Sequence, residues 1–243
     1  NRPLILEGLY KKISSRYIMY FHNDPLSMNG SKTTKQRLDI ISNVEKIIFA
    51  SEWIQKRYFI DLDDKLKTKT EVVYPSVYIK KKISKKKNYI SFVGKLNFAK
   101  GYDIYSKAIP KILNEFPNWK AFSLGDEQRR SIYLKHKNHY ELGWLNHKKV
   151  LDLLDKTSIS IVPSRWDEPF GRTALEASSR GCATIVSDRG GLSETTNHAI
   201  VLKNLDSDTL YKQIQYLIKN YKIRQNIQKD SFRNVLHVIS ENT

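Results

Sequence analysis

One cysteine, Cys182, occurs in 243 residues, so no disulfide can close within the chain. A reducing, cytosolic setting is the expectation that follows. There is no run of eighteen apolar residues, the minimum a membrane-spanning helix needs. No secretory signal segment is visible, and no internal repeat of 20–50 residues. Acidic residues are scarce: 25 Asp and Glu stand against 42 Lys and Arg, a net charge of +17. That excess points to nucleic acid, an anionic membrane surface or an anionic small substrate, or to lysines spread over solvated faces. An RNA-binding signature, zinc-finger spacing and a Gly/Arg-rich tail are all missing, so nucleic acid is not an expected partner. Peripheral contact with the inner face of the cytoplasmic membrane stays open.

What is present suits a packed α/β protein. Hydrophobic residues make up 40% of the chain and aromatics 11%, enough for a sizeable core. Short apolar, β-branched runs read as strands at 17–21, 44–50, 71–75, 89–93, 119–124, 140–145, 158–162, 183–187 and 199–202. Helical patterns alternate with them, at 4–16, 32–42, from Ser51 onward, and at 102–116, 148–155, 173–180, 206–220 and 223–239. That alternation predicts a parallel, doubly wound sheet. Lys80 to Lys87 carries six lysines in eight residues and reads as a solvated linker, or as a surface for lipid phosphates. The chain opens on Asn1, inside what reads as a helix, so a fragment with an incomplete first domain is expected.

The stretch Pro163 to Glu176 organises the rest. It leaves the buried strand 158–162 and enters the helix that Gly181 stops, and ligands of open α/β sheets bind at such strand ends. Backbone N–H groups around Gly171, Arg172 and Thr173 can face an anion at the helix N-terminus. Glu168 and Glu176 stand with seven residues between them and can look into one cleft from different depths. The plainer alternative makes Glu168 a helix N-terminal charge and Glu176 an exposed helix residue.

A second strand-to-helix turn runs Gly94-Lys95-Leu96-Asn97-Phe98-Ala99-Lys100-Gly101. Two glycines and two lysines there suit a diphosphate, although surface lysines would look the same. It is neither a Walker loop nor a dinucleotide fingerprint. His22, in the turn His22-Asn23-Asp24-Pro25, ends a strand and is either a satisfied turn histidine or a site residue. Trp144, in Gly143-Trp144-Leu145, is a core residue or a ligand contact. His136 and His139 could meet on one helical turn, yet no third ligand is near, and a metal is not expected.

Glu168-Pro169-Phe170-Gly171, Glu176-Ala177, Gly181 and Gly190-Gly191 before Glu194 arrive in one order with Lys95, Lys100 and Gly143-Trp144. That set resembles the E-x7-E motif and flanks of retaining GT-B glycosyltransferases, specifically the family 4-like group 1 sugar transferases of bacteria. The resemblance covers residues 17 to about 228, and Lys95 stands where the family more often has Arg. It implies two Rossmann-like domains facing a cleft. Residues 1–79 would be the remnant of the acceptor-side domain, 80–88 a basic linker, 89–228 the donor-nucleotide domain, and 229–243 a terminal helix crossing back. It implies a nucleotide sugar as co-substrate, no cofactor or metal, and a glycan or lipid-linked acceptor.

In those terms His22 and Glu168 would be catalytic, His22 facing the donor sugar and Glu168 holding its hydroxyls. Lys95, Lys100 and the amides at Gly171 to Thr173 would offset the diphosphate charge. Gly143, Trp144 and Leu145 would meet the base, and Glu176 the ribose. Gly94, Ser164, Pro169, Phe170 and Arg172 complete the donor set. The alternatives are a nucleotide-sugar-binding module without chemistry, a nucleotide-sugar epimerase on the same fold, and a basic nucleic-acid binder.

Overall fold

A computed structural model describes residues 3, 16–78, 80–128, 132–195 and 198–241. The helix expected at 4–16 falls almost entirely outside them. Two compact units emerge, residues 1–75 and 76–241, and each is built on parallel strands.

The first unit is a three-stranded sheet of β1 (Ile18–Phe21), β2 (Lys46–Phe49) and β3 (Thr70–Val72), in that order. Helix α1 (Thr34–Asn43) opens with a capping box in which Thr33 and Gln36 satisfy each other's backbone N–H. Ser51 caps α2 (Glu52–Tyr58), as its position before the helix predicts. Phe21, Phe49 and Tyr58 form an aromatic cluster with ring centroids 5.3–5.7 Å apart, at the centre of an apolar core with Ile47 and Ile54.

The second unit holds six parallel strands: β4 (Tyr89–Val93), β5 (Lys120–Leu124), β6 (His139–Glu141), β7 (Ile159–Val162), β8 (Ala183–Ser187) and β9 (Ile200–Leu202). Their order is β6-β5-β4-β7-β8-β9. The chain therefore winds one way from β4 and the other way from β7, and the loops after those two strands diverge at the switch point. Helices α3 (Tyr102–Glu115), α4 (His147–Lys156), α5 (Arg172–Ser179), α6 (Ser207–Lys219) and α7 (Tyr221–Glu241) connect or follow the strands. β7 and β8 are buried at every residue, as continuous apolar runs in a covered parallel sheet should be. Gly181 ends α5 at φ 71°, and the Cys182 N–H reaches back to the Ala177 carbonyl.

Three sequence expectations change. The strand foreseen at 140–145 stops at Glu141, because Gly143 takes a left-handed φ of 63° and turns the chain. His136 and His139 share no helical turn: His136 meets Asn114 and His139 meets Ser123, 2.8 Å away. The lysine run is not solvated throughout. The Lys86 ammonium donates to the carbonyls of Leu154, Asp155 and Arg180, where α4 and α5 end. Lys80 pairs with Asp155 beside it. A cation is favourable at a helix C-terminus, and here one lysine serves two helices. Burial pulls the Lys86 pKa below its ordinary value. No helix among the described residues is long and apolar enough to cross a membrane.

Candidate functional site

The carboxyl edge of the second sheet is built from close backbone contacts. Gly101 caps α3 at φ 72°, and a Cβ there would overlap the Pro163 carbonyl oxygen. A Cβ at Gly125 would overlap the Gly94 carbonyl. The Gly125 N–H donates to the Gly143 carbonyl at 2.8 Å. The loops after β4 and β5 thus lie against one another with no room for a side chain at Gly125, and the loop after β6 is hydrogen-bonded to them.

The loop after β7 is fastened to the loop after β4. The N–H groups of Arg165 and Trp166 both donate to the Ala99 carbonyl. The Arg165 guanidinium grips Asp103 with two bonds, 2.5 and 2.9 Å, and lies 3.9 Å from the Phe98 ring centre. Ser164 donates to the Trp166 carbonyl, and Ser187 to the Ser164 carbonyl. Glu168 is held from the far side: its backbone bridges Gly190, and the Gly191 N–H donates to its carbonyl at 2.7 Å. A Cβ on Gly190 would overlap that backbone, so the glycine pair fixes the carboxylate's position.

Between these loops lies a cavity lined by Gly94, Lys100, Ser164, Glu168, Gly171, Arg172 and Thr173, over Phe92, Val93 and Val162. The Lys100 Nζ is 2.6 Å from Glu168 Oε1. Lys100 is steadied by its own N–H, which donates to Asn97 Oδ1 at 3.0 Å. Gly171, at φ 97°, begins α5 and supplies no side chain to cap it. One helix N-terminus, one ammonium and one carboxylate therefore converge.

A second cavity shares Val93 and Gly94 with the first and extends to Lys95, Asp126, Trp144, Leu145 and Val150. Trp144 is 75% exposed, so the core-packing alternative is wrong. Glu176 is only 8% exposed, so it is not a surface helix residue either. Its Oε1 lies 3.1 Å from His147 Nε2 and 3.8 Å from the Arg172 guanidinium.

The donor residues inferred from sequence thus divide. Gly94, Lys100, Ser164, Glu168, Gly171, Arg172 and Thr173 share one wall, and Lys95, Trp144 and Leu145 the neighbouring one. Gly143, Pro169, Phe170 and Glu176 line neither; Gly143 acts through its carbonyl, and Phe170 is buried. His22 belongs to the first unit, exposed after β1, with its ring centre 3.9 Å from that of Tyr20. Its turn is fixed by a two-bond ion pair between Asp24 and Arg57. Sequence reasoning missed Asp103, Arg165, His147 and the link from Gly190 to Glu168. An Arg two residues past a strand-ending proline was the available signal for the first pair, Gly190-Gly191 was marked without its contact to Glu168, and nothing in the sequence marked His147.

Two Asp-x-Asp stretches occur, and both are spent on caps. Asp63 accepts from the Lys65 N–H, and Asp206 accepts from the N–H groups of Asp208 and Thr209. The Thr209 N–H holds the Asp206 carboxyl below its usual range. Among the described residues, no three His, Cys, Asp or Glu side chains form a group that could hold a metal ion.

The sequence pattern of the glycosyl transferases group 1 family matches residues 78–233. The chain belongs to that family. Among its relatives, the putative glycosyltransferase YtcC of Bacillus subtilis is 27% identical over 85% of this chain. The chain spans 58% of the length of YtcC. Spore coat protein SA of the same organism is 23% identical over 96% of this chain and 71% of its own. The GT-B fold is shared with Anabaena HepE, solved with UDP and glucose: TM-score 0.71, 15% identity, covering 93% of this chain and 69% of HepE. It is shared equally with sucrose-phosphate synthase of Thermosynechococcus elongatus: TM-score 0.76, 16% identity, covering 97% and 67%. For this group 1 member, the parallel-sheet fold foreseen from the strand-helix alternation holds.

Proposed function

We propose that this chain binds the donor of a glycosyltransferase that moves a hexosyl group from a nucleoside diphosphate sugar to a glycan or lipid-linked acceptor. The setting would be the synthesis of cell-surface polysaccharide or lipopolysaccharide. The observation that carries the reading is the Lys100–Glu168 pair at the unblocked start of α5, on the switch point of the sheet. HepE, with the same fold, has been solved with UDP-glucose.

In the reaction, the acceptor oxygen bonds to the anomeric carbon while that carbon's bond to the diphosphate oxygen breaks. The electron pair leaves with the diphosphate, and the acceptor's proton passes to the departing oxygen. Attack on the face the leaving group quits gives retention. Lys95, Lys100 and the amides at Gly171 to Thr173 offset the growing negative charge without a metal. Bound diphosphate competes with Glu168 for the Lys100 ammonium, and the freed carboxylate accepts from sugar hydroxyls. Trp144 and Leu145 meet the base, and Glu176, oriented by His147, meets the ribose. His22 is assigned to the donor sugar on the family resemblance alone.

Calorimetry with uridine, guanosine and adenosine diphosphate sugars tests the reading. Lys100→Ala should weaken binding of the preferred donor by about 1.5–3 kcal/mol, the scale of a charge-assisted hydrogen bond. An unchanged dissociation constant removes Lys100 from the site. Glu168→Gln should retain donor and lose transfer in the full-length enzyme. Transfer that survives it removes Glu168 from the chemistry.

A further inference from the structure

The amino edge of the six-stranded sheet carries another cavity, and its chemistry is different. Lys85 and Lys86 approach it ahead of β4, and Arg224, Gln228 and Lys229 face it from α7. Four cations line it, and none of its described lining residues is acidic. It shares no lining residue with the cavity that holds Glu168.

What separates this cavity from a general excess of lysine is Arg224, which is 6% exposed. Its Nη1 donates to the carbonyls of Leu217 and Ile218, 2.6 and 3.2 Å away, in the last turn of α6. The guanidinium stands 5.1 Å from the Trp119 ring centre and 5.2 Å from that of Tyr221. Among the described residues, no hydrogen bond uses its Nε or Nη2, and no carboxylate pairs with it. A buried charge normally has a counter-charge, since desolvating it alone is costly. Burial accordingly lowers the Arg224 pKa, with only Tyr221 opposing. Lys86 in the same wall is committed to helix-end carbonyls and adds a second desolvated cation.

We propose that this cavity is an anion site for a phosphoryl group, presented by a soluble phosphate ester or by the headgroup of an anionic lipid. Arg224 supplies planar donors at the base, and Lys85 and Lys229 supply mobile charge at the mouth. Because it lies at the opposite end of the strands from the donor cavity, it can be filled while a donor is bound.

The test is calorimetric titration of the chain with inorganic pyrophosphate. Lys85→Glu/Lys229→Glu alters two mouth positions that make no described fold contact, and its melting temperature confirms folding. One binding event should weaken about a hundredfold in this variant, two lost charge-assisted contacts at roughly tenfold each. Lys100→Ala should keep that event. Lys81→Glu/Lys82→Glu makes the same charge change outside the cavity and should keep it too. Co-sedimentation with phosphatidylcholine vesicles, with and without phosphatidic acid, separates the sources. Sedimentation that needs phosphatidic acid, is competed by pyrophosphate and is lost in Lys85→Glu/Lys229→Glu assigns a lipid headgroup. Pyrophosphate binding without sedimentation assigns a soluble ester. Equal binding by the mouth variant and the wild type overturns the proposal. So does equal weakening by the Lys81/Lys82 variant, or loss of the event in Lys100→Ala.

Discussion

The two edges of the six-stranded sheet are held by opposite means. At the carboxyl edge the chain packs backbone on backbone. Gly101 lies on Pro163, Gly125 on Gly94 and Gly190 on Glu168, and no side chain could stand between them. At the amino edge the gaps are bridged by long cations, with Lys86 tying α4 to α5 and Arg224 tying α6 to α7. Rigid, side-chain-free loops place a few polar groups to within a fraction of an ångström, as a binding site requires. Bridging cations tolerate looser geometry but must be desolvated. The lesson is that glycine at one edge and lysine or arginine at the other both serve as spacers, and only the first kind leaves the site's chemistry free.

Substitutions at the two edges should therefore fail differently. The largest effect is expected from Gly101→Val, which puts a branched side chain at φ 72° against the Pro163 carbonyl. It should cost on the order of 3 kcal/mol or more in urea unfolding. A loss below about 1 kcal/mol would mean that the loops yield and the contrast is false. Lys86→Met should cost about 2–3 kcal/mol, because the carbonyls at two helix ends lose their common donor.

The sign with pH sharpens this second case. Burial depresses the folded-state pKa of Lys86 below its ordinary 10.5. Between the depressed value and 10.5 the unfolded chain binds more protons than the folded one, so the desolvation penalty fades as pH rises. Wild type should gain on Lys86→Met between pH 7 and pH 10 when unfolding is followed in urea. No change with pH would place the ammonium in water. The smallest effect is expected at Gly143→Ala. A Cβ there meets nothing within 4 Å and only the φ of 63° resists it, a cost of about 1 kcal/mol.

Much of this was legible along the chain. The apolar runs that became β7 and β8 could only be covered strands, and the alternation of strand and helix fixed a parallel sheet. Glu168, Gly171 and Thr173 were readable as one wall because they are near neighbours on a single strand-to-helix turn. Lys100 was placed with them by resemblance, sixty-eight positions before Glu168, and its direct pairing with that carboxylate could not be foreseen. Glu176 shows the limit from the other side: eight residues past Glu168 on a helix, it is buried and paired with His147, a contact that spacing along the chain did not show.

The order of residues alone determined where most strands and helices lie and which turns carry glycine, because period and backbone conformation are largely local properties. The folded chain alone decided that Lys86 is a half-buried clasp and not a solvated linker. It also decided that Arg224 has no counter-charge among the described residues and that Gly190 seats Glu168. Each of those depends on which distant carbonyl or carboxylate comes within about 3 Å, and distance in space is not written in distance along the chain.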